Sequence, residues 1–212
     1  TGKYYFLLGK IHEKDNDLHR ARKNYELSTQ FNPLMDESYF AAAKIYLKAR
    51  LYKYAKDRLN QAIALDPTNA IYRATYSQIL YELQGVETGI GYLRDQLTKM
   101  PDEPILYSQI AIFYYRSGKL GDYERYRKKI ANLHKEEPLF YDFLIRESKR
   151  EGKVSDVINY SKKLISIDPS RLKVLMELGI YYFELGRYKN AKSTFTNLES
   201  KLSTYPKINY YL

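Results

Sequence analysis

The chain has 212 residues, 35 Lys and Arg against 25 Asp and Glu, and a formal charge of +10, a balance that favours acidic partners. It has no cysteine, which excludes disulfides and thiolate metal sites, and no stretch approaches the ~20 apolar residues of a membrane span. His12, His19 and His134 are scattered without HExxH spacing, and no phosphate-cradling glycine loop, nucleophile elbow or kinase signature is present, so no enzyme activity, cofactor or metal is expected.

Asn32-Pro33, Asp66-Pro67, Met100-Pro101 and Asp168-Pro169 lie on one ruler with a 34-residue step. The ruler divides the chain without insertions into windows 2–35, 36–69, 70–103, 104–137, 138–171 and 172–205, read as one array over 1–212. Window one predicts a first helix through Tyr5, Gly9 and His12 and a second through Ala21 and Tyr25, closed by Phe31-Asn32-Pro33. Window two repeats the pattern with Tyr39, Ala43 and Tyr46, then Tyr52, Ala55 and Leu59, closed by Leu65-Asp66-Pro67.

Window three departs from it. Arg73 stands in the aromatic place, followed by Ser77 and Leu80, and the second helix is expected to carry Gly85, Gly89 and Gly91. An interior glycine costs roughly 0.5–1 kcal/mol against alanine. Gly89 is therefore read either as a small packing residue or as part of a hinge near 85–104. Window four opens on Pro104, continues through Tyr107, Ala111 and Tyr114, turns at Ser117-Gly118, and then has Tyr123 in a small place, Arg127 in a large one and Lys135 in the proline place. Window five opens on Pro138 and runs through Tyr141, Ile145 and Ser148, turns at Glu151-Gly152, and continues through Val157 and Ser161 to Ile167-Asp168-Pro169. Window six has Leu175, Leu178-Gly179 and Tyr182, turns at Leu185-Gly186, and continues through Tyr188, Ala191 and Phe195. Pro206 then starts a seventh window, and 206–212 is expected to open a further helix. That ending, with a start lacking Met and a secretory signal, reads as an excised piece of a longer protein whose localisation is left open.

Large, small and large residues at offsets of three, four and seven describe helix faces that meet closely. Each window is thus expected to form two helices joined by a turn of three or four residues, with a glycine in the left-handed region ending the first and a proline-bearing triplet ending the second. Many of the 24 tyrosines fall in the inter-helix places and are absorbed by packing.

The pattern resembles the tetratricopeptide repeat family, most clearly in Leu178-Gly179, Tyr182, Leu185-Gly186-Arg187-Tyr188, Ala191 and Phe195. The resemblance implies an all-α fold, an α-solenoid of about six tandem helical hairpins forming a right-handed superhelix. It also implies a protein-protein interaction scaffold or adaptor that binds on a concave wall built by the first helices, at places 2, 5, 9, 12 and 13 of each window.

The candidate groove residues at those places are Lys3, Phe6, Lys10, Lys14, Phe40, Lys44, Lys48, Gln78, Tyr81, Ser108, Tyr115, Arg116, Arg146, Lys149, Arg150, Lys173 and Phe183. Cations beside aromatics suit an acidic or amphipathic segment of another protein. The bland alternative is a solvated lysine face. A second class is RNA binding by a basic helical-repeat groove, but the groove lacks a regular polar code from repeat to repeat, so nucleic acid is not the expected partner. Self-association through the ends of the stack is a further expectation, and direct membrane insertion is not. Some relatives clamp a chaperone's C-terminal carboxylate, but the matching places here hold Phe6, Lys10, Ala41, Ile71 and Thr75, so that role is not expected. Bacterial cytoplasmic, envelope and motility assemblies are among the settings the resemblance implies.

Overall fold

The structure, a computed structural model, describes residues 1–133 and 137–203. His134, Lys135 and the expected helix at 206–212 lie outside the described residues. Among the described residues there are twelve helices and no strand. They are α1 (Gly2–Lys14), α2 (Leu18–Phe31), α3 (Asp36–Lys48), α4 (Tyr52–Leu65), α5 (Ala70–Gln84), α6 (Val86–Lys99), α7 (Pro104–Arg116), α8 (Leu120–Asn132), α9 (Pro138–Arg150), α10 (Val154–Ile167), α11 (Leu172–Glu184) and α12 (Tyr188–Ser203). Each odd-numbered helix packs on the even-numbered one after it, making six hairpins. The chain forms two compact units, Thr1–Leu133 and His134–Leu212.

Local chemistry explains the helix ends. Gly118, Gly152 and Gly186 take φ of +75°, +69° and +69° just after α7, α9 and α11, the left-handed region in which glycine has no Cβ penalty. Asn16 and Arg50 occupy the equivalent place after α1 and α3 with φ of +58°. At the second-helix ends, Asp66 accepts from Thr68 N at 3.2 Å and Asp168 accepts from Ser170 N at 3.1 Å, locking the turn around each proline. Pro104 and Pro138 stand in the first turns of α7 and α9, where a missing N–H costs nothing.

The third hairpin corrects two expectations. Its helices are joined by Gly85 alone, at φ +92°, not by a turn of three or four residues, and Gly85 is the connector, not part of the second helix. Helix α5 runs two residues further than its counterparts because Leu83 and Gln84 are helical where the others turn. Helix α6 continues unbroken through Gly89 and Gly91, and the Cβ position of Gly89 lies 3.0 Å from both Ser77 O and Phe113 Cε2. Gly89 thus sits where two backbones approach closely.

In the first unit, hairpins stack because α2 packs on α3, α4 on α5 and α6 on α7. Ala21, Ala42, Ala43, Ala55 and Ala62 are fully buried, and Tyr25 and Leu59 fill the space that these small residues leave. The eighth-place residues Gly9, Ala43, Ser77 and Ala111 and the twentieth-place residues Ala21, Ala55, Gly89 and Tyr123 are all buried, as the period requires. In the fourth hairpin the exposed Arg127 pairs with Glu124 at 3.0 Å, and the neighbouring Tyr126 goes inward against Tyr107 and Tyr114 instead. In the second unit, Ile145, Val157 and Leu164 form one core group and Ile158, Leu178, Tyr182 and Ala191 another.

Candidate protein-binding surface

In the first unit the candidate side chains lie on α1, α3, α5 and α7. Four-residue spacing on a helix puts Phe6 beneath Lys10 and Phe40 beneath Lys44, and both ammonium groups sit over their rings, at 5.6 and 5.3 Å from the centroids. The same pair therefore recurs one hairpin apart. The rings are anchored from below: Phe6 tilts against Tyr25 at 5.8 Å and Phe40 against Tyr72 at 4.6 Å. Tyr72 in turn donates to Asp36 at 2.7 Å, and burial followed by that bond pushes its phenol pKa well above the usual range.

Glu13 ties the first two hairpins together. It accepts from Tyr25 Oη at 2.8 Å and from Lys48 Nζ at 3.2 Å. Burial alone would raise its carboxyl pKa, but the Tyr25 hydrogen bond and the Lys44 and Lys48 charges outweigh that and hold it below the ordinary carboxylate value. Glu13 thereby partly neutralises the predicted cluster Lys10, Lys14, Lys44 and Lys48. Lys3 and Lys14 are exposed, and Gln78 is half-buried.

Further along this unit the candidates turn inward. Tyr81 stacks on Phe113 at 4.7 Å, and Tyr115 meets Tyr123 edge-on at 5.3 Å. Ser108 corrects the prediction outright: it is fully buried and donates to Pro104 O at 2.8 Å, so it cannot meet a partner. Its place on α7 is occupied by a serine folded back on its own helix. Arg116 is exposed at the end of α7.

The second unit has its own surface on α9 and α11. Lys149 pairs with Glu177 at 2.6 Å and Arg150 with Glu147 at 2.5 Å, while Arg146 and Lys173 are exposed. The predicted Arg146, Lys149 and Arg150 cluster is thus compensated by carboxylates in two of its three members. Phe183 is 60% exposed and packs edge-on against Tyr188 at 5.6 Å. Sequence reasoning passed over Met176 and Ile180, both exposed on α11. They hold places 5 and 9 between Lys173 and Phe183, and reading those places for aliphatic side chains as well as cations and rings finds an apolar strip. Among the described residues no group of three His, Cys, Asp or Glu side chains converges as a metal-ligand set, and no helix is long and apolar enough to cross a membrane.

Residues 2–33 and 172–198 match the tetratricopeptide repeat family. The comparison with curated proteins finds no match. Among solved structures, the chain is similar to TTC0263, a tetratricopeptide repeat protein of Thermus thermophilus. The TM-score is 0.63 with 18% identity, covering 86% of this chain and 100% of that one. It is also similar to PilW, a type IV pilus biogenesis factor, with a TM-score of 0.55 and 19% identity over 95% of this chain and 94% of that one. A third is Pseudomonas aeruginosa pilF, with a TM-score of 0.54 and 17% identity over 97% and 92%. At these identities the likeness is one of fold.

Proposed function

We propose that this chain, whose residues 2–33 and 172–198 match the tetratricopeptide repeat family, is a protein-interaction scaffold that binds an acidic segment of another protein on its first-helix face. One observation carries the reading: the Phe6/Lys10 and Phe40/Lys44 pairs repeat at the same places of consecutive hairpins, with each cation held over an anchored ring. A segment with carboxylates spaced to meet successive lysines, and apolar groups between them to cover the rings, matches that repeat. Desolvating the rings contributes affinity, and the lysines contribute register and salt dependence. On the second unit, exposed Met176, Ile180 and Phe183 on α11, with exposed Arg146 on α9, support the same chemistry with more apolar weight.

The test is fluorescence anisotropy with a panel of labelled peptides alternating Glu and Phe, at low and physiological salt. The Lys10→Glu, Lys44→Glu double variant is expected to weaken the best peptide by about tenfold or more and to flatten its salt dependence. Unchanged affinity, or tighter binding of single-stranded RNA that the same variant abolishes, contradicts the proposal.

A further inference from the structure

Helices α3, α5 and α7 each turn the third, sixth and tenth residues of their hairpins towards the hairpin before. Those residues are Ser38, Ala41 and Ile45, then Tyr72, Thr75 and Ile79, then Leu106, Gln109 and Phe113, and all but the half-buried Thr75 are buried. The second helix of that earlier hairpin supplies part of their cover. Ser38 Oγ lies 2.7 Å from Ser28 Oγ of α2, Tyr72 and Ile79 share a core cluster with Leu59 and Ala62 of α4, and Phe113 closes over Gly89 of α6.

In α1 the same three places hold Tyr4, Leu7 and Ile11, which are 63%, 49% and 53% exposed. Offsets of three and seven put them on one helical stripe. Two of the three repeat the residues of α5, where Tyr72 and Ile79 are buried in one cluster with Leu59 and Ala62 of α4. With about 100° of turn per residue, Lys3, Lys10 and Lys14 border the stripe on one side. A second copy of this chain would set those lysines against their own kind on a molecule already at +10.

We propose that Tyr4, Leu7 and Ile11 form a docking face for one amphipathic helix of a partner protein. That helix carries an apolar stripe with small residues, like Ala55, Leu59 and Ala62 of α4, and carboxylates along the edge that meets Lys3, Lys10 and Lys14. It seats on α1 as α4 seats on α5, adding one layer to the stack. The apolar stripe holds none of the rings of the first-helix surface and shares with it only the lysine edge of α1, so Leu7 and Lys44 variants test the two assignments apart.

The probe is a labelled peptide with the sequence of α4, residues 52–65, carrying Lys53→Glu, Lys56→Glu and Arg58→Glu, titrated with the full chain. Saturable binding is expected, weakened about tenfold by Leu7→Asp, an exposed position whose helix content is checked by circular dichroism. Lys44→Glu is expected to leave it within about twofold. Three results overturn the proposal: no saturable binding, equal affinity for Leu7→Asp, or loss on Lys44→Glu alone, which moves the peptide to the first-helix surface. A wild-type chain that sediments as a dimer and reverts to monomer in Leu7→Asp overturns the choice of occupant.

Discussion

Gly89 and Gly91 stand two residues apart on α6 and face opposite physical demands. A Cβ at Gly89 meets Ser77 O and Phe113 Cε2 at 3.0 Å, and a backbone oxygen cannot swing aside, whereas a Cβ at Gly91 meets nothing within 4 Å. Gly89→Ala is expected to lower stability by about 1–3 kcal/mol through overpacking. Gly91→Ala is expected to raise it by about 0.5–1 kcal/mol through helix propensity. Chemical denaturation of the two variants checks this, and equal effects would remove the close-approach reading. Glu13 has a different signature. Its carboxyl pKa is depressed in the fold, so its contribution is present above the ordinary carboxyl range and is lost as pH falls through the folded value. Between about pH 6 and about pH 3.5 the wild type should therefore lose more stability than Glu13→Gln. Parallel pH profiles of the midpoint would contradict the bond network around Tyr25 and Lys48. Close packing at Gly89 was one of two readings the sequence allowed, whereas the Glu13 network was not legible, because Tyr25 and Lys48 meet it only through the packing of three helices.

Helices and their turns were far more legible. The proline triplets and the glycines at 118, 152 and 186 mark ends that the structure places within a residue, since left-handed backbone and pre-proline sterics act locally. The misreading at Gly85 has an equally local cause: the glycine lies one residue later than in the other hairpins, and α5 simply continues to Gln84. In the second hairpin the left-handed place holds Arg50, at φ +58°. A side chain there costs roughly 1–2 kcal/mol, offset in part by the greater unfolded entropy of glycine. Arg50→Gly should consequently raise stability by about 0.5–1 kcal/mol, measurable as a shifted urea midpoint with an unchanged slope. A fall in stability would mean that Arg50 is held by contacts stronger than its strain.

At the scale of the molecule, each of the two units is a run of tandem hairpins whose stability is supplied by packing between neighbours. The 34-residue period made the six hairpins readable. Legibility failed at the surface, because place numbers say which residues share a face but not which are already engaged. Ser108 turned back on its helix, while Lys149 and Arg150 found Glu177 and Glu147. Met176 and Ile180 went unnoticed because their places were read for cations and aromatic rings, not for aliphatic side chains. What survives in the first unit is the twice-repeated ring and lysine on α1 and α3. The most direct test maps amide chemical shifts of the full chain during titration with the best acidic peptide. The account predicts perturbations centred on Phe6, Lys10, Phe40 and Lys44, with α2 and α4 largely silent; shifts concentrated on α2 and α4, or none at saturation, would contradict it.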